Sequence, residues 1–195
     1  MQLMTDIYLC RHGRTALNAA GLLRGRLDPE LDLVGQCEAK NLGKLLSGVG
    51  LTRVISSPLS RAVETAAAIA GAHGLTVETD DRLADRAYGA FDGTSADDVV
   101  AQYGSLDAAP GVEPADAVVE RALAVVTPLA TDENTVAVIS HDAVITALLD
   151  ELTPSAHVPH HLHPRTGSWS LLRHDETGWQ LIVSSSKDDP AGIAG

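Results

Sequence analysis

Short apolar runs of strand length alternate along this chain with segments of helical period, and that alternation leaves few folds open. Ile7-Tyr8-Leu9-Cys10 reads as a buried strand that stops at Arg11-His12-Gly13. Helical spacing of Leu, Val and Ala follows over 33–46, with Gly48 and Gly50 as stop signals. Arg53-Val54-Ile55-Ser56 reads as a second strand. Ser57-Pro58 then reads as the opening of a helix through residue 70, with Ser57 as N-cap and Pro58 in the first turn. A short strand over 75–77, an irregular loop over 80–93, a short helix over 96–103 and a longer one over 113–130 come next. Thr135-Val136-Ala137-Val138-Ile139-Ser140 is the clearest strand; after His141 a helix runs to about residue 151. The turn at 174–178 joins two last strands, 168–173 and 179–183, in a hairpin.

The pattern predicts a three-layer α/β/α sandwich with a mainly parallel sheet, helices on both faces and an antiparallel edge strand from the hairpin. The 195 residues suit one core rather than two, so a single domain is expected over 1–183, with 184–195 as a disordered tail. Aromatic residues make up only 3%, so the core has to be built from Ala, Val, Leu and Ile.

The net charge of −12 argues against nucleic acid or an anionic membrane as a partner. No stretch reaches the apolar length of a membrane span, and residues 1–6 lack the basic and apolar regions of a signal peptide. Two cysteines, Cys10 and Cys37, make no disulfide framework and read as buried thiols in a reducing, cytoplasmic compartment. A homodimer is left open.

In so acidic a chain, arginines gathered in one place are informative. Arg11-His12 follows the first strand, Arg61 lies just beyond the second, and His141 follows the Thr135 strand. The carboxyl ends of strands in an open parallel sheet line the ligand crevice, so these four side chains are expected to meet there. Two fork-shaped guanidinium groups form a natural clamp for a phosphoryl group, and the first turn of a helix adds free N–H groups. A neutral imidazole beside them is a competent nucleophile at neutral pH.

These segments, in this order, resemble the histidine phosphatase superfamily, the phosphoglycerate mutase-like proteins. The resemblance is carried by Arg11-His12-Gly13-Arg14-Thr15 with Asn18, by Gly25, Asp28 and Leu31, and by Ser56-Ser57-Pro58-Leu59-Ser60-Arg61-Ala62-Val63-Glu64-Thr65-Ala66. It continues through Arg82-Leu83-Ala84-Asp85 with Gly89 and Gly93, and through Ser140-His141. The resemblance implies that His12 becomes phosphorylated, that Arg11, Arg61 and His141 hold the phosphoryl oxygens, and that Asp85 protonates the leaving oxygen. It further implies substrate contacts at Asn18, Thr15, Arg14, Gly25 and Asp142. Asp92 is the runner-up acid. Position 85 is Asp where the mutases carry Glu, and Asp142 stands where many members have Gly; a carboxylate at 142 must be paired or turned away.

The implied activity is hydrolysis of a small phosphorylated metabolite without metal or other cofactor. The short segment between Gly93 and Ser140 favours a phosphatase over a phosphoglycerate mutase. A catalytically inactive phosphate-binding module is the alternative of another class. The run His157-Val158-Pro159-His160-His161-Leu162-His163 invites a metal reading, but its proline and loop context argue against a ligand cage.

Overall fold

The computed structural model describes residues 4–131, 134–154 and 163–186. Its elements are β1 (Thr5–Arg11), α1 (Ala16–Ala19), α2 (Leu33–Leu46), β2 (Arg53–Ser56), α3 (Ser60–His73), β3 (Val77–Thr79), α4 (Ala96–Tyr103), α5 (Ala115–Val126), β4 (Thr135–Ser140), α6 (Asp142–Leu152), β5 (Trp169–Asp175) and β6 (Gly178–Ser186). Short 3-10 turns at Asp81–Leu83, Gly89–Phe91 and Thr127–Thr131 punctuate the loops.

The six strands form one sheet in the order β3-β2-β4-β1-β5-β6. β3, β2, β4 and β1 run parallel, and the β5–β6 hairpin joins β1 antiparallel. This is the mixed sheet with helices on both faces that the strand–helix alternation predicts.

Side-chain alternation along the central strands builds two cores. Ile7 and Leu9 of β1, with Val136 and Val138 of β4, pack against Val118, Ala122 and Val126 of α5 and Ile145 and Leu148 of α6. Tyr8 and Cys10, with Ala137 and Ile139, face the other way, onto Leu42 and Leu46 of α2 and Ala62, Ala66 and Ile69 of α3. Strands buried on both faces read as continuous apolar runs, which is why β1 and β4 stand out in the sequence. Each fully buried Leu or Ile contributes about 1.5–3 kcal/mol relative to exposure. A smaller apolar cluster, Leu23, Tyr88, Val99, Ala109 and Val112, fastens the loop at 21–27 to the segment around α4.

Several expectations need correction. α3 starts at Ser60, not at Ser57-Pro58, because Ser57 is engaged elsewhere and the helix is capped from a distance: Asp28 accepts from the Ser60 N–H at 2.7 Å and from its hydroxyl at 2.6 Å. The third strand lies at Val77–Thr79, two residues later than its apolar content suggests, because Leu75 closes the end of α3 by donating to Ala70. The helix expected over 113–130 is α5 followed by a 3-10 turn around Pro128. β6 extends to Ser186, three residues past the expected strand end at 183; residues 187–195 lie outside the described residues. Cys10 is buried as expected, whereas Cys37 sits on the exposed face of α2.

No helix among the described residues is long and apolar enough to cross a membrane. Of the histidine run, residues 157–162 lie outside the described residues; His163 is exposed and pairs with Asp142 at 3.1 Å.

Candidate active site

The carboxyl ends of β1, β2 and β4 bring the charged motifs together. His12 leaves β1 with its N–H donating to the Ser140 carbonyl at 3.2 Å, so the two histidine-bearing strand ends are locked side by side. The loop after His12 is clamped twice. The Gly13 N–H donates to Thr65 Oγ1 at 3.0 Å, and a Cβ on Gly13 would collide with the Gly35 carbonyl. Thr65 is thus the reason the Arg-Ala-x-x-Thr segment matters to β1, a role its sequence does not reveal.

His12 is fully buried. Its Nδ1 lies 2.6 Å from the Gly13 carbonyl, which can only accept, so Nδ1 carries the proton and Nε2 keeps its lone pair. Arg61 Nε donates to that Nε2 at 3.3 Å. Burial, then the charges of Arg61 and Arg11, hold the His12 pKa well below its ordinary range, so the ring is neutral.

Arg61 is fully buried and heavily positioned. Its Nη1 donates to the Leu27 carbonyl at 2.8 Å, and its Nη2 to the Gly25 carbonyl at 3.3 Å and to Asp85 Oδ2 at 3.1 Å. Gly25 adopts φ +48°, and a Cβ there would run into the Asp92 carboxylate. The Gly25–Asp28–Leu31 segment therefore works as a holder: Gly25 and Leu27 orient Arg61, Asp28 caps α3, and Leu31 bridges Thr15.

Asp85 is buried, with Oδ2 also 3.8 Å from His141 Nδ1 and Oδ1 accepting from the Arg86 N–H at 2.9 Å. Burial raises its pKa, and Arg61 and Arg24 oppose the rise only in part. That is the environment a shorter carboxyl group needs to hold a proton as a general acid. Asp92 instead accepts from the Arg26 and Tyr88 N–H groups at 3.1 and 3.3 Å, which staples two loops together.

His141 caps α6, and its Nε2 lies 2.7 Å from the Ser57 hydroxyl. Burial, followed by the neighbouring His12 and Arg61, lowers its pKa well below the ordinary value. Ser57, read from sequence as a helix cap, is a support for this ring. Arg11 donates from Nη1 to the Pro164 carbonyl and lies 3.3 Å from Asp142. Asp142 is thus paired.

Among the described residues, three buried side-chain nitrogens have no hydrogen-bond partner: Arg11 Nε, Arg24 Nε and His141 Nδ1. All three belong to side chains whose charges act on His12 or on each other. Buried donors are nearly always satisfied, so the two guanidinium nitrogens together point to an anion as their natural partner. Arg24 has no sequence signal beyond its place in the 21–31 loop.

The remaining expected contact residues are engaged with partners of their own. Thr15 and Asn18 bond each other in a capping box, the Thr15 N–H reaching Asn18 Oδ1 at 3.0 Å. Arg14 is half-exposed and pairs with Asp32 at 2.8 Å. Among the described residues no cluster of three His, Cys, Asp or Glu is arranged to hold a metal ion.

A model of the histidine phosphatase superfamily (branch 1) matches residues 7–186. A Yersinia pestis protein named "probable phosphoglycerate mutase GpmB" is 42% identical over 80 residues, which cover 41% of this chain and 37% of that protein. The chain thus matches well under half the length of the curated relatives of that name. The solved structure of a mycobacterial glucosyl-3-phosphoglycerate phosphatase in complex with VO3 superposes with a TM-score of 0.83 at 25% identity, over 93% of this chain and 99% of that one. A phosphoglycerate mutase from Bacillus anthracis shares the fold, with a TM-score of 0.83 at 23% identity over 96% and 94% of the two chains.

Proposed function

The chain belongs to the histidine phosphatase superfamily, and on that footing we propose that it is a phosphatase that hydrolyses a phosphomonoester through a phosphohistidine at His12, without a metal ion. The observation that carries this reading is the lone pair on His12 Nε2, held in a neutral ring beside Arg61, within the field of Arg11 and Arg24, whose Nε donors lack partners.

Nε2 attacks phosphorus, and the bond from phosphorus to the ester oxygen breaks. Asp85, its pKa raised by burial, gives its proton to the departing oxygen. Arg11, Arg61, Arg24 and His141 hold the equatorial phosphoryl oxygens, where fixed donors in a water-poor site stabilise charge without reorganising. Water then attacks the phosphohistidine. The Asp85 carboxylate takes its proton, the N–P bond breaks, and the electron pair returns to Nε2 while inorganic phosphate leaves. Dividing one displacement into two is the advantage of a covalent intermediate.

Turnover of an aryl phosphate in the presence of a chelator tests the reading. Wild-type enzyme should release phosphate at an unchanged rate with chelator and leave an acid-labile phosphoryl group on quenching. His12→Ala should do neither. Activity that disappears with chelator would remove the metal-free mechanism.

One observation favours a mutase: the 80-residue similarity to a protein bearing that name. Exchange between phosphoglycerate isomers without phosphate release would establish it in place of hydrolysis.

A further inference from the structure

Three guanidinium groups share the phosphoryl site, and they act on one another. The charge of Arg24 lowers the pKa of both Arg11 and Arg61. An anion that enters relieves this repulsion as well as filling open donors. Inorganic phosphate, the product of the proposed reaction, keeps the contacts that its phosphoryl group made in the substrate. A site that only attracts anions would release it slowly, and binding that favours ground state and product alike adds nothing to turnover.

Asp142 is a negative charge set against these cations. Its Oδ2 lies 3.3 Å from Arg11 Nη1, which also donates to the Pro164 carbonyl. Of the charges that act on Arg11, that of Asp142 is the foremost. The two side chains are 10% and 20% exposed, so salt and water screen the pair little. Asp142 opens α6, where the helix dipole favours a carboxylate in its charged form. The Thr146 hydroxyl and His163 Nδ1 engage the other oxygen, Oδ1, at 3.4 and 3.1 Å, which fixes the carboxylate with Oδ2 toward Arg11.

The pairing takes one nitrogen of Arg11 and leaves another. Nη1 is spent on Pro164 and Asp142, whereas the buried Nε has no partner. Asp142 therefore holds Arg11 in place with a donor still open, and its charge opposes whatever anion that donor receives.

Resting on the phosphatase reading, we propose that Asp142 is a positioning residue that acts through Arg11: its carboxylate competes with bound phosphate for that guanidinium, weakens the hold on the product and so speeds its release. It works from beside Arg11, in place of the direct substrate contact that its motif implies.

Asp142→Asn keeps an acceptor oxygen for Nη1 and removes the charge. Calorimetric titration of inorganic phosphate into the wild-type and variant enzymes, with product inhibition of aryl phosphate hydrolysis measured in parallel, tests the proposal. Kd and Ki for phosphate should fall about tenfold in the variant, the effect of one charge roughly 10 Å away at an intermediate dielectric. KM should fall with them, and kcat should not rise. Asp142→Ser should behave alike, which keeps the test open if one variant fails to fold. A merely structural role would move phosphate affinity the other way, because a displaced Arg11 binds anions less well. Phosphate affinity unchanged or weaker in a folded variant, or a kcat above wild type, would overturn the proposal and leave the phosphatase reading standing. Wild-type enzyme that neither binds phosphate nor hydrolyses the ester would overturn both.

Discussion

Arg61 donates through Nε to His12 Nε2 across 3.3 Å, so the cation that would clamp the phosphoryl group also holds the nucleophile's lone pair in place. The same guanidinium reaches Asp85 and two backbone carbonyls. A lysine keeps the charge but loses this fork. Arg61→Lys should lower kcat/KM by about a hundredfold to a thousandfold, the range for removing a pre-set charge donor. Steady-state kinetics with an aryl phosphate, beside a circular dichroism spectrum that matches wild type, check it.

The pH profile follows from two opposite displacements. His12 has to be neutral, and its pKa is lowered, so kcat/KM rises with pH below the ordinary histidine range and is already complete near neutrality. Asp85 has to be protonated, and its pKa is raised, so the falling limb lies above the ordinary carboxyl range. Asp85→Asn should abolish that falling limb. It should slow alkyl esters by about a hundredfold or more and activated aryl esters far less, because only a poor leaving group needs the proton.

Stability should depend on pH through the same rings. His12 and His141 are both buried with lowered pKa, so below about pH 6.5 the unfolded chain binds protons that the folded one does not. The sign is loss of stability as pH falls, by up to about 1.4 kcal/mol per pH unit for each histidine. Urea midpoints at successive pH values from neutral downward measure the slope, and His141→Asn should reduce it.

Gly25 is conformationally required. With φ at +48° and the Asp92 carboxylate where a Cβ would go, Gly25→Ala should cost about 1–3 kcal/mol. It should also reduce activity, because the displaced carbonyl is one of those orienting Arg61. Adding Asp92→Ala should relieve the collision but not the backbone strain, so thermal unfolding of the double variant should recover only part of the loss.

Much of this architecture was legible because strands buried on both faces and their polar stops write themselves into local sequence. β1 and β4 ended where the apolar runs ended, and His12 and His141 therefore fell together. What escaped was decided by distant partners. The start of α3 depends on Asp28, thirty-two residues earlier, and Ser57 is drawn off by His141. Arg24 and Arg26 look alike in sequence, and only the folded 21–31 loop sets Arg24 to act on His12 while Arg26 pairs with Glu113 at 3.8 Å. The period of α2 does not place Cys37 on the exposed face, because the helix carries apolar residues outward as well as inward; Leu33 is 81% exposed on the same helix. Helical period alone does not say which face is which when both are apolar.

Gly13 and Gly35 meet backbone to backbone: a Cβ on Gly13 would strike the Gly35 carbonyl, and a Cβ on Gly35 would strike the Arg14 carbonyl. The nucleophile loop therefore has no slack against α2: no rotamer and no side-chain cushion lies between them to absorb a displacement. A displacement of α2 at Gly35 therefore meets the backbone next to His12 directly.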